Sequence, residues 1–256
     1  RSDSVTEIGE RAFNCCSGLT GISLPVNLNT IGESAFFDCS QLSAVTMHAG
    51  VTSVGSSAFS GCVRLTRVDY TGSSEDWCRI SFLSEKANPV FYSHSLLING
   101  QLLTEMNIPS DLTSINAYSF TCMTDLTRVT IPQTITAIGS YAFRGCTGLT
   151  QITLPSSLTM IGSEAFIGCT ELNRVNYAGT AEGWCGITFS SMDANPLNYA
   201  HHLYFNDRLV SEIAIPDGIT EIKNFSFCGC ADLTGVTLPE SVARIGSSAF
   251  KDCTSL

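Results

Sequence analysis

A 23-residue period runs through this chain and decides what it can fold into. The Leu that opens each LxxφxφP unit, where φ is apolar, stands at Leu19, Leu42, Leu65, Leu126, Leu149, Leu172, Leu233 and Leu256. The successive gaps are 23, 23, 61, 23, 23, 61 and 23. Each gap of 61 divides into 38 and 23, because further units open at Leu103 and Val210. Three units of 23 and one of 38 make a superperiod of 107, the spacing of Leu19 to Leu126 and of Leu126 to Leu233. A period that does not drift means one supersecondary element copied many times. One copy cannot bury enough apolar surface to stand alone, so the copies must stack.

The unit Leu19 to Gln41 (LTGISLPVNLNTIGESAFFDCSQ) shows the pattern best. Counting Leu19 as position 1, positions 4 and 6 are apolar and alternate with polar 3 and 5, which is strand periodicity. Position 7 is Pro at Pro25, Pro109, Pro132, Pro155, Pro216 and Pro239, with His48 the exception. Pro has no N–H to donate and ends the ladder there. Position 14 is Gly at Gly9, Gly32, Gly55, Gly139, Gly162 and Gly246, Asn at Asn116 and Lys at Lys223. Gly and Asn tolerate positive φ, so a tight turn is expected at this position. The AFxxC run at positions 17 to 21 suits a short helical or 3₁₀ turn that presses a Phe inward. Phe13, Phe36, Phe59, Phe120, Phe143, Phe166, Phe227 and Phe250 should then stack as one spine. The expected fold is a repeat solenoid of leucine-rich-repeat kind. A parallel sheet lies on one face, and short helical or 3₁₀ turns and loops on the other.

The combination LxxIxLPxxLxxIGxxAFxxC at this period resembles the BspA-type class of leucine-rich repeat, over nearly the whole chain. Unit 103–125 departs from it at Asn116, Ser119 and Met123, where the pattern has Gly, Ala and Cys. The resemblance implies a secreted or cell-surface protein of a bacterium or a parasitic protist. It also implies adhesion to a host matrix protein or to other cells. One array over 1–256 is expected, with units opening at 19, 42, 65 (long), 103, 126, 149, 172 (long), 210 and 233. Both ends fall inside a unit, no polar cap is visible and no Met or signal-type segment opens the chain, so it reads as a piece of a longer array.

The long units, Leu65–Leu102 and Leu172–Leu209, carry 15 extra residues each. Ser73-Ser74-Glu75-Asp76 before Trp77 has the makings of a helix start, a cap followed by acids in the first turn. Asn88-Pro89 and Asn195-Pro196 mark turns. LLINGQLL (Leu96–Leu103) reads as a hairpin with Asn99-Gly100 at its tip, and Asn206-Asp207 fills that place in the second copy. Trp77 and Trp184, 107 apart, read as the cores of small sub-packings. The competing reading makes the inserts lateral bumps with Tyr92 and Tyr199 exposed.

Composition excludes several functions. The net charge is −10 and there are only three Lys, Lys86, Lys223 and Lys251, which argues against a nucleic-acid partner. No apolar run reaches the 18 or so residues of a membrane span. Seven of the twelve cysteines sit at position 21 (Cys16, Cys39, Cys62, Cys146, Cys169, Cys230 and Cys253), an apolar slot, and read as free buried thiols. Stacked side chains point the same way, which is poor bridge geometry. The close pairs Cys15/Cys16 and Cys228/Cys230 lack zinc-type spacing. No HExxH, P-loop or nucleophile motif occurs, so neither a metal, a cofactor nor an enzymatic activity is expected.

What remains is the outward sheet face, formed by positions 3 and 5. Position 3 brings Arg67, Glu105, Arg128, Gln151, Arg174 and Glu212, and position 5 brings Asp69, Asn107, Thr130 and Thr153. Glu105 should sit beside Arg128, and Arg174 beside Glu212, as cross-strand pairs. The expected ligand-facing set is Arg67, Asp69, Glu105, Arg128, Gln151 and Arg174. The face lacks Trp and Tyr, which favours a protein partner, a host or microbial surface or matrix protein, over a glycan. The alternative is a structural spacer in a larger secreted protein.

Overall fold

The computed structural model describes residues 4–256, a solenoid in which every 23-residue coil contributes two short parallel strands. The first occupies positions 3 to 5 or 6, as in Gly21–Ser23, Ala44–Met47, Arg128–Thr130 and Gln151–Leu154. The second occupies positions 12 and 13, as in Thr30–Ile31, Ser53–Val54 and Ala137–Ile138. Partners within either sheet differ by one period: Gly21 lies beside Ala44, and Thr30 beside Ser53. The inward residues Val45, Val68, Met106, Ile152 and Val175 are buried, while Arg67, Glu105, Arg128 and Gln151 on the alternate positions are exposed. The second narrow sheet was not legible, because two-residue strands carry no periodicity.

In the 23-residue coils, positions 15 to 20 form consecutive turns and not a helix. Position 14 is not where the chain turns left-handed. Positive φ falls instead at position 16 (Ser34 54°, Tyr141 59°, Glu164 56°) and at position 20 (Asp38 53°, Gly61 81°, Gly145 68°). The Gly at position 14 answers a different need. A Cβ on Gly55 would stand 2.5 Å from the Glu33 amide nitrogen, and one on Gly139 2.4 Å from that of Ala117. Adjacent coils touch backbone to backbone here, and only a residue without a side chain fits.

The Phe column exists, but as three stacks and not one spine. Phe13, Phe36 and Phe59 stack at centroid distances of 5.1 and 5.2 Å. Phe120, Phe143 and Phe166 stack at 5.2 and 5.4 Å, and Phe227 on Phe250 at 5.3 Å. Each interruption is a long coil. A second column runs beside it. The thiols of five position-21 cysteines donate to the carbonyl of the position-18 Phe of the preceding coil: Cys39 to Phe13 at 3.0 Å, Cys62 to Phe36 at 3.2 Å, Cys146 to Phe120 at 3.0 Å, Cys169 to Phe143 at 3.1 Å and Cys253 to Phe227 at 3.1 Å. All twelve cysteines are free; Cys15 and Cys16 are exposed, Cys122 is intermediate and the other nine are buried. Burial pushes the Cys62 and Cys169 thiols up to about 12.

The long coils break both sheets and replace ladder bonds with side-chain bonds. Ser73 caps the helix Ser74–Trp77 in a reciprocal capping box with Asp76. Trp77 and Trp184 are fully buried, packed on Tyr70 and Phe82 and on Tyr177 and Phe189. Asn88, also buried, donates to the carbonyls of Tyr118 and Ser119 and accepts from the Val90 amide. Asn195 repeats this with Phe225, Ser226 and Leu197. Tyr92 and Tyr199 are not free bumps. Both are half-buried, with the Gly61 amide donating to the Tyr92 hydroxyl and Tyr199 donating to Asp193. The hairpins form as expected, with Asn99, Gly100, Asn206 and Asp207 all at positive φ.

Candidate functional site

Alternation within the first sheet places the sequence-named residues on one face, but not in one cluster. Arg67 and Asp69 share the strand Arg67–Tyr70 and pair with each other at 3.3 Å. Asp69 also accepts the amide of Gly100 at the tip of the first hairpin, which ties this acid into the structure. Glu105 lies beside Arg128 in register, yet the two form no ion pair. Arg174 does not meet Glu212. The hairpin 203–209 intervenes, and Arg174 instead pairs with Asp207 at 2.8 Å and lies over the Tyr204 ring at 3.9 Å.

Three of the six named residues, Arg128, Gln151 and Arg174, converge on one open cleft of about 430 Å³. Thr130, Thr153 and Asp207 complete its polar wall, with Val129 and Ile131 also lining it. The cleft has a backbone cause. The strands Arg128–Thr130 and Gln151–Leu154 belong to separate sheets, and no ladder hydrogen bond joins them among the described residues. Of its two guanidinium groups, that of Arg174 is neutralised by Asp207, while Arg128 has no ion-pair partner among the described residues.

The hairpins add residues that sequence reading missed. Leu97 lies beside Asp69, and Tyr204 beside Asn176, so both face outward. Across each hairpin Leu97 opposes Leu102, and Tyr204 opposes Leu209, with Leu102 49% and Leu209 46% exposed. The face therefore does hold a Tyr, against expectation. The Asn-Gly tip carried the signal, since a two-residue turn fixes which residues oppose each other.

Elsewhere, the described residues offer no group of three or more His, Cys, Asp or Glu placed to hold a metal ion. None of their helices is long and apolar enough to cross a membrane.

A family model and one solved structure agree with this architecture. The family model described as a BspA type leucine rich repeat region matches residues 1–88, 95–203 and 199–256. A leucine rich cell surface protein from Faecalibacterium prausnitzii is similar, at 28% identity and a TM-score of 0.52, over 98% of this chain and 63% of that one. The chain thus spans less than two thirds of that relative's length. A leucine-rich repeat protein from Bacteroides ovatus is 22% identical at a TM-score of 0.45, over 98% of this chain and 81% of that one. The pneumococcal vaccine antigen PcpA is 18% identical at 0.48, over 94% and 71%. No curated protein matches. The repeat, its two sheets and the family match together show that the chain belongs to the BspA-type leucine-rich repeat family.

Proposed function

We propose that this array is a non-enzymatic recognition module, secreted or held at a cell surface, that binds a protein partner through the outward face of its first sheet. The observation that carries this reading is the cleft at Arg128, Gln151 and Arg174, where polar side chains converge on a stretch of that face that lacks ladder bonds between two ordinary coils. Repeat arrays commonly recognise partners over such extended faces. The likeness to a Faecalibacterium prausnitzii cell surface protein supports the location.

The test is binding of the chain to purified host extracellular-matrix proteins and to neutral and sulfated glycans, followed by the double variant R128E/R174E. Loss of binding to a protein that the parent chain binds supports the reading. Undiminished binding by the variant removes the sheet face from it. Binding to none of them counts against the recognition reading and favours the spacer.

A further inference from the structure

We infer that the face is built to hold an extended peptide segment bearing a carboxylate side chain, seated in the cleft against Arg128, with apolar side chains on the two hairpins. The inference rests on the sheet-face reading and names the chemistry of its partner. Two guanidinium groups and one carboxylate line the cleft, and that carboxylate, Asp207, is engaged by Arg174. One cation of the cleft, Arg128, is left over on a chain of net charge −10; Glu105 is in register beside it, outside the cleft lining, and forms no ion pair with it. A carboxylate matches the planar fork of a guanidinium in both charge and shape. The amide of Gln151 and the hydroxyls of Thr130 and Thr153 stand beside it to bond a peptide backbone.

The hairpins set the length. Leu97 with Leu102 lies on one side of the cleft, and Tyr204 with Leu209 on the other, each an outward apolar pair. Five to six strand spacings separate them, roughly 24–29 Å. An extended chain covers that distance in about eight residues. A polar centre flanked by apolar anchors suits a peptide, whose side chains supply both, better than a sulfated glycan, which supplies only the anion.

The test uses the whole chain and acetylated, amidated nonapeptides with Leu or Phe at both ends and Glu at the centre, paired with copies carrying Gln there. Fluorescence anisotropy should show the Glu peptides binding at least fivefold tighter. The variant R128Q should erase that preference. L102S and L209S should each weaken the Glu peptide about threefold, and T30A, on the second sheet, should leave it unchanged. Thermal melts confirm that each variant is folded. Equal affinity for the Glu and Gln peptides overturns the inference, as does full retention of the preference in R128Q. If a matrix protein still loses binding to R128E/R174E while the peptides fail, the sheet-face reading survives and only the acidic-peptide inference falls.

Discussion

The indole Nε1 of Trp77 donates to the carbonyl oxygen of Ser119, 42 residues away, at 3.0 Å. Trp184 does the same to Ser226 at 2.9 Å. These bonds cross the two places where a long coil interrupts both sheets, so a buried side chain stands in for a missing ladder rung. Asn88 and Asn195 donate to the same two carbonyls. Removing one indole therefore costs a hydrogen bond and a packed ring, but does not leave the carbonyl bare. Trp77→Phe is expected to destabilise by about 2–3 kcal/mol, the sum of a lost bond and an imperfectly filled site. Trp184→Phe should cost a similar amount. The two should add to within about 0.5 kcal/mol, because the sites share no partner. Urea midpoints of the three variants check this, and a strongly non-additive pair would mean that the two joints unfold as one.

The position-14 glycines separate close approach from turn formation. Gly139→Ala places a methyl 2.4 Å from the Ala117 amide nitrogen, where backbone cannot move aside. A loss of about 2–3 kcal/mol is expected, as for an overpacked core. Gly9 occupies the same repeat position, yet a Cβ there meets nothing within 4 Å. Gly9→Ala should stay within about 0.5 kcal/mol of the parent. A similar cost at both sites would return the role of these glycines to backbone conformation.

The thiol columns make stability fall on the alkaline side. Burial holds Cys62 and Cys169 protonated, with their pKa raised from 9.0 to about 12. The folded state thus binds protons that the unfolded state has released between these values. The stabilising contribution is whole below pH 9 and is lost as pH climbs towards 12. Urea midpoints should decline over that window, and less steeply in Cys62→Ala and Cys169→Ala. In the native protein at pH 8, iodoacetamide should label Cys15 and Cys16 first, since a thiolate must be both formed and reachable. Rapid labelling of Cys62 in the folded chain would refute the burial on which this rests.

The period, the alternation at positions 3 to 6, the Cys slot and the Asn99-Gly100 hairpin were all legible in the sequence, because each is local or strictly repeated. What sequence reading lost lies where the repeat is interrupted. The face of Arg174 depends on how many strands the 38-residue unit inserts, and one extra hairpin replaced Glu212 with Asp207 and Tyr204. The unbonded seam between Arg128–Thr130 and Gln151–Leu154 has no counterpart in the repeat pattern, since both coils are ordinary 23-residue units. Position 14 reads as a turn in the sequence because Gly serves positive φ and close approach equally well, and only the packing of neighbouring coils tells them apart.

The departures Asn116 and Lys223 sharpen that distinction into a last prediction. Both stand at position 14 of the coil that follows a long unit, where the second sheet is broken. The bond that a position-14 amide makes to the preceding coil elsewhere, as Gly55 to Ile31 and Gly139 to Ile115, is absent at both among the described residues. Asn116 instead reaches back 3.2 Å to the carbonyl of Ile80. Lys223 reaches the carbonyl of Gly186 and, at 3.0 Å, the Thr188 hydroxyl. Each side chain spans the gap to the long coil: Asn116 supplies a donor to the carbonyl just before the edge strand Ser81–Phe82, and Lys223 to the last carbonyl of the helix Ala181–Gly186 and to Thr188 in the edge strand Thr188–Phe189. Substitution toward a repeat consensus ordinarily stabilises. Here Asn116→Gly and Lys223→Gly, which restore the pattern, should each destabilise by about 1–2 kcal/mol, through the lost bond and the added backbone freedom. The sign of the shift in urea midpoint decides. A rise in either variant would mean that the gap needs no bridge and that the two departures are incidental.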